Sequence, residues 1–202
     1  VTQAEWEKVM GYNPSYFSPK GDYKNKVESL NTSSFPVENV TWYDCAEFCN
    51  RMSLKDGLSP YYAITVTNRN KESITEANVE TRGGNGYHIP KREEWSQGCR
   101  AGSQSKYHLG DQDADLSETD WYADNSDGRT HNVGEKKANG FGLFDLLGNV
   151  QEWVEGVEQS SDGAPLKPHR GSGALYQASE CVIDKGRRSG PGKSSFHLGI
   201  RL

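Results

Sequence analysis

Gly140-Phe141-Gly142-Leu143-Phe144-Asp145-Leu146-Leu147-Gly148-Asn149-Val150-Gln151-Glu152-Trp153-Val154 is the densest motif of this 202-residue chain. It mixes Gly-rich turns with short apolar runs, and the remainder of the chain after it does the same. Upstream, Ser103 to Asn139 is almost all polar and turn-forming, with Trp121-Tyr122 as an anchor. So much irregular backbone in one compact domain requires something to hold the loops.

Helices are expected further upstream. In Val1-Thr2-Gln3-Ala4-Glu5-Trp6, Thr2 and Glu5 have capping-box spacing and Val1 can staple onto Trp6. Gly11 ends that helix, and Asn13-Pro14 prevents its continuation. A second helix starts near Thr41 and stops before Gly57, with Trp42, Cys45, Cys49 and Met52 on one face. Tyr61 to Val66 reads as a short strand, followed by a polar connection through Gly83-Gly84-Asn85-Gly86. A third helix begins just after Pro90 and ends at Gly102. No internal repeat or domain boundary is visible.

Composition sets the outer bounds. Hydrophobic residues make up only 33%, but five Trp, ten Tyr and six Phe can fill one core of this size. The net charge of −5 argues against nucleic acid or an anionic membrane as a partner. No apolar run approaches the roughly 20 residues of a membrane helix. Cys45, Cys49, Cys99 and Cys181 do not make a disulfide framework; one or two bridges, or buried free thiols, both fit.

Six ordered blocks resemble one family. Residues 140–154 resemble the NGFGLYDMLGNVWEWV block of the formylglycine-generating-enzyme (sulfatase-modifying factor) family. Residues 1–6 resemble its EVTQAEYE opening, and Pro36-Val37-Glu38-Asn39-Val40-Thr41-Trp42 its PV-x-NVSW block. Ile89 to Trp95 with Cys99-Arg100-Ala101-Gly102 resemble LPTEAEWE and CRAG. His169-Arg170-Gly171-Ser172-Gly173 resembles RGGSW, and Leu198-Gly199-Ile200-Arg201-Leu202 the terminal IGFRL. The resemblance implies a single α+β domain over 1–202 with a C-type-lectin-like fold: two or three helices, short antiparallel sheets and much irregular structure. It further implies that the fold's first strand would precede Val1.

The family's enzymes oxidise a substrate cysteine with copper and oxygen through two cysteines downstream of GGS. Cys181 aligns with the second of these and Tyr176 with the first, and a phenol cannot replace a Cu(I) thiolate. The expectation is therefore no enzyme and no required cofactor. A copper-dependent formylglycine-generating oxidase is the alternative, and a structural cell-envelope protein a third reading. The family's GNVWEW turn can hold Ca²⁺, and the matching positions are Asp145, Gly148, Val150 and Glu152; the alternative reading is that Asp145 and Glu152 cap turns or pair with an arginine. Gly186 to Ser194 imitates a P-loop, but its glycine spacing is off by one and no helix can follow. Ser172 lacks the G-x-S-x-G pattern. The five His residues are expected on surface or loop positions.

Some members of this fold are variable proteins of diversity-generating retroelements, including a treponemal type in the same family. Their C-terminal stretch is rewritten at scattered codons. The tail from 174 to 197 resembles such a region. Ala174, Leu175, Tyr176, Gln177, Val182, Asp184, Arg187, Ser189, Ser195, Phe196 and His197 are the candidate ligand-binding residues, with periodicity of neither 2 nor 3.6. An ordinary loop of a degenerate member is the competing reading. The expected partner is a protein or glycan ligand, met by a monomer. Display on a bacterial cell surface, lipid-anchored through a segment ahead of Val1, follows from the resemblance alone.

Overall fold

The computed structural model describes residues 1–107 and 110–202. Helix α1 (Gln3–Met10) begins where the sequence places it: Thr2 Oγ1 accepts the Glu5 amide at 3.2 Å, and Glu5 Oε2 accepts the Thr2 amide at 2.8 Å. Gly11, at φ 88°, ends it with a bond back to the Glu7 carbonyl. A left-handed C-terminal residue costs glycine little. Helix α2 (Trp42–Lys55) repeats the device with Thr41 and Asp44. Its apolar face is the expected one, with Trp42, Cys45 and Cys49 buried and Met52 partly covered. Trp6 of α1 stacks on Phe48 of α2 at 4.9 Å between centroids. All four cysteines are buried free thiols.

The next segment departs from the sequence reading. Strand β1 runs Tyr62–Asn70, and the supposed polar connection contains a second strand, β2 (Ser73–Thr81), paired antiparallel to it. Lys71, at φ 55°, turns the hairpin. Only Ile74 of β2 is buried, so the strand lacks the apolar alternation by which a half-buried strand is recognised. Ile74 also anchors the hairpin to α2. Its amide donates to Asp44 Oδ1 at 2.7 Å and its carbonyl accepts from Thr41 Oγ1 at 3.0 Å.

Helix α3 (Arg92–Arg100) follows Pro90 and ends in left-handed Ala101 and Gly102. Helix α4 (Asp113–Thr119) lies in the stretch read as turns, so the described residues hold four α-helices rather than two or three. Leu116 is its buried anchor. A small sheet is built around β5 (Pro165–Arg170). Strands β3 (Gln151–Trp153), β4 (Glu158–Gln159) and β6 (Gly186–Ser189) each pair with it antiparallel, and β7 (Leu198–Gly199) lies parallel to β3. The α+β, C-type-lectin-like class stands as expected.

Buried polar side chains hold the loops. Asn139 Oδ1 accepts the amides of Phe141 and Leu143, while its Nδ2 donates to the carbonyl of Gly98 at the end of α3. Asp120 Oδ1 accepts the Leu147 amide at 2.7 Å. Asn149, at φ 62°, accepts the His131 amide and donates to the His131 carbonyl. A Cβ on Gly148 would lie 2.4 Å from the Trp121 carbonyl oxygen, so only glycine lets the two loops touch. Each of these residues satisfies backbone groups that no ladder reaches.

Three apolar clusters form the core among the described residues. The first gathers α1, α2 and Trp153; the second gathers Trp95, Cys99, Tyr107, Leu116, Leu146, Leu147, Cys181 and Ile183; a small third is Phe17, Val27 and Phe35, with Tyr23 and Phe196 against it. The tail runs over the second from Tyr176 to Ile183, meets the third at Phe196 and ends in the first through Leu198 and Ile200.

Candidate ligand-binding face

The tail leaves β5 through Gly171, at φ 72°, where an added Cβ would stand 2.6 Å from the Leu146 carbonyl oxygen. Conformation and space both require glycine there. Beyond it, Ala174, Ala178, Cys181 and Ile183 are buried, and Leu175, Gln177, Ser179 and Asp184 between them are exposed. Small and apolar side chains thus fasten the segment to the second core cluster and present what lies between them.

Ala174 corrects the sequence reading. It is 3% exposed, its amide donates to the Asn149 carbonyl and its carbonyl accepts from Ser126 Oγ at 2.6 Å, so its methyl group cannot reach a ligand. Val182 packs beside the second cluster. Asp184 is turned away to a bidentate pairing with Arg100 at 2.6 and 2.7 Å. Ser189 Oγ lies 3.2 Å from His169 Nε2, and the Ser195 carbonyl accepts the Asn39 amide.

Tyr176, Arg187, Phe196 and His197 do come together. The Tyr176 hydroxyl lies 3.2 Å from His197 Nε2, with the rings edge-on at 5.4 Å. The Arg187 guanidinium sits over the Tyr176 ring at 4.6 Å and pairs with Glu180. Phe196 meets His197 edge-on at 4.9 Å, Tyr23 at 5.5 Å and Tyr16 at 6.3 Å. All of these rings are part-exposed. Leu175, 40% exposed, extends the patch. Sequence reasoning missed Tyr16 and Tyr23, which come from the loop after α1 and carry no motif. Tyr16 also borders a groove of about 620 Å³ with Tyr12, Asn39, Lys71, Ser73 and Lys193.

Burial disfavours the charged forms of both His197 and Tyr176. Burial and the neighbouring Arg187 hold His197 below the usual imidazole range. Burial raises the Tyr176 phenol against the pull of Arg187. His169 is buried within β5, against the expectation of surface or loop histidines; His131 is buried but lies in a loop, and His108 lies outside the described residues. His169 meets Trp153 edge-on at 5.3 Å, and burial lowers it to about 3.

The residues aligned with the family's copper pair do not fit that metal. Tyr176 offers a phenol, and Cys181 is a buried thiol pushed up to about 11 by its burial, with Sγ 3.5 Å from the Gln177 carbonyl. In the calcium set, Glu152 accepts from Trp95 Nε1 at 2.6 Å and from Arg201 at 2.8 and 2.9 Å. For Glu152 the arrangement is the arginine pairing weighed from the sequence. Asp145 Oδ2 accepts the Gly134 amide, and its buried Oδ1 has no partner among the described residues. Gly190 to Ser194 forms a turn, with no helix after it to cradle phosphate.

The family model for the sulfatase-modifying factor enzyme 1-like domain matches residues 1–202. The chain is 34% identical over 176 residues to the chaperone protein LppX of Paenibacillus barcinonensis, covering 76% of this chain and 58% of that protein. It is 37% identical over 80 residues to the formylglycine-generating enzyme of Mycobacterium tuberculosis, covering 34% of this chain and 27% of the enzyme. The chain thus spans less than two thirds of the length of these curated relatives. Among solved structures it resembles Treponema denticola variable protein 1, with a TM-score of 0.80 and 29% identity over 99% of this chain and 80% of that one.

Proposed function

This chain belongs to the sulfatase-modifying factor enzyme 1-like family, and from that membership we propose that it is a non-catalytic, ligand-binding member whose contact face is the C-terminal tail. The observation that carries the reading is Tyr176. On the motif resemblance it takes the position of a catalytic cysteine of the family's enzymes, and its ring is built into a part-exposed aromatic patch with His197, Phe196, Tyr23 and Tyr16. Aromatic and arginine side chains that carry large area at low entropic cost suit recognition of a protein or glycan. The adjoining groove has the volume of a ligand site.

Diversification of the tail by a retroelement is part of the proposal. It draws support from the likeness to Treponema denticola variable protein 1 and from the alternation of buried anchors with exposed side chains between 174 and 184. The test is to sequence codons 174–197 in many independent isolates. Substitutions concentrated at Leu175, Tyr176, Gln177, Arg187, Phe196 and His197, with Ala178, Cys181 and Ile183 fixed, are expected. An invariant tail would overturn diversification.

Cys181 keeps the oxidase alternative worth one assay: conversion of cysteine to formylglycine in a substrate peptide with copper added is expected to be absent. A structural calcium near Asp145 is likewise a proposal, resting on the orphaned Oδ1, with the Gly148 and Val150 carbonyls as partners. It predicts a calcium-dependent rise in Tm that Asp145→Asn abolishes. Display on a bacterial cell surface through a lipid anchor, as a monomer, completes the proposal. No helix among the described residues is long and apolar enough to cross a membrane.

A further inference from the structure

Behind the aromatic patch, on the sheet side of Arg187, a polar cleft of about 650 Å³ is lined by Arg92, Pro168, Arg170, Gly186, Arg187 and Arg188, with Glu158 and Asp184. Four arginines in one cleft are unusual on a chain of net charge −5. Arg187 turns its guanidinium to the other face of β6, over Tyr176 and onto Glu180, and the carboxylates present do not satisfy the remaining three. Glu158 alone serves both Arg92 and Arg188, and Asp184 is already held by Arg100 from outside the cleft. Arg170 has no carboxylate within ion-pair distance among the described residues and only a long 3.4 Å contact to the Asp184 carbonyl. Its buried Nε has no partner among the described residues.

Gly186 is part of this construction. It lies opposite Arg170 in the β5–β6 register, and a Cβ there would fall 2.3 Å from Arg170 Nη1. Its φ lies outside the left-handed region, so the glycine is needed for space. It lets the Arg170 guanidinium lie across the neighbouring strand beside the cleft.

We propose that this cleft binds a sulfate or phosphate group, clasped by Arg170 together with the more exposed Arg92 and Arg188. Guanidinium forks match oxyanion geometry, and a charged acceptor makes the strongest hydrogen bonds available to a buried N–H. A tetrahedral dianion offers acceptors in several directions, which suits donors converging from β5, β6 and the start of α3 better than one planar carboxylate does. The proposal goes beyond the aromatic face. Arg92, Arg170 and Arg188 lie outside the candidate contact residues, and the cleft would hold its anion even if the face bound nothing.

The experiment is calorimetric titration of the whole chain with inorganic phosphate and inorganic sulfate at fixed ionic strength, with acetate as the control. One saturable site is expected, for which the two dianions compete and acetate does not. Arg170→Ala should weaken binding by about tenfold or more and Arg188→Ala by about threefold. Glu158→Gln should strengthen it about threefold, because it frees two arginines from an internal competitor. That gain is a result no merely structural role would give, and it decides the matter if Arg170→Ala fails to fold. Leu54→Ala, at an exposed position of α2 outside the cleft lining, should leave the affinity unchanged. A hexose 6-phosphate tighter than inorganic phosphate would place the group on a sugar, and equal affinity would make it the free ion. Absence of saturable binding by either dianion, or equal binding in the Arg188→Ala and Glu158→Gln variants, would overturn the proposal.

Discussion

Glu38 is the buried residue whose chemistry is least expected from its surroundings. It is fully buried; Oε1 accepts the Phe17 amide at 2.9 Å, and Oε2 has no partner among the described residues. Burial pushes its carboxyl up to about 8, against the pull of the Phe17 and Tyr16 amides. The folded chain therefore keeps a proton that the unfolded chain releases above its ordinary 4.5. Between those values the native state binds more protons, so stability falls as pH rises from about 4.5 to about 8 and is unaffected below that window. Glu38→Gln should flatten this slope. Urea midpoints at pH 5 and pH 8.5 check it, and an unchanged slope in the variant would count against a neutral Glu38.

Among the elements, α2 and the β1–β2 hairpin are coupled through one carboxylate. Asp44 caps α2 by accepting the Thr41 amide, and it also accepts the Ile74 amide at 2.7 Å and the Ser73 hydroxyl at 2.5 Å. Glu5, the matching residue of α1, is exposed and serves its own helix alone. Thr2→Ala should then cost about 1 kcal/mol, an ordinary lost cap. Asp44→Ala should cost about 2–3 kcal/mol, since it leaves a buried Ile74 amide unpaired as well. Hydrogen exchange gives the sharper readout: the Ile74 amide should lose protection in the Asp44 variant and keep it in the Thr2 variant. The Thr41–Asp44 start was legible in the sequence. Its grip on the hairpin was not, because β2 has one buried side chain and no periodic pattern.

At the scale of the whole molecule, irregular loops are carried by a rigid polar and aromatic framework, and the tail is pinned at intervals. Leu175→Ser, Gln177→Ala and Arg188→Ser change side chains with exposed or half-free environments and should stay within about 0.5 kcal/mol of the parent. Ile183→Ala, 2% exposed in the second cluster, should cost about 2–5 kcal/mol. Arg201→Ala strands the buried Glu152 carboxylate beside Trp95 and should cost about 3–5 kcal/mol. Chemical denaturation of the five variants checks the set. Equal losses at exposed and buried positions would remove the physical basis for a diversifiable surface.

By itself the sequence determined the family, the α+β class, the caps of α1 and α2, the buried face of α2 and the mismatch of Tyr176 with a thiolate. Each of these is written in local spacing or in an ordered motif, so a single chain suffices to read it. The tertiary structure alone decided that Ala174 is buried, that Asp184 turns to Arg100, that Tyr16 and Tyr23 join Phe196, and that four arginines share a cleft. Those outcomes depend on contacts between residues tens to more than a hundred positions apart, made by loops without period. In such backbone, neighbours in space are chosen by which buried Asn, Asp or Gly can satisfy a distant amide or clear a distant carbonyl, and no local pattern encodes that choice.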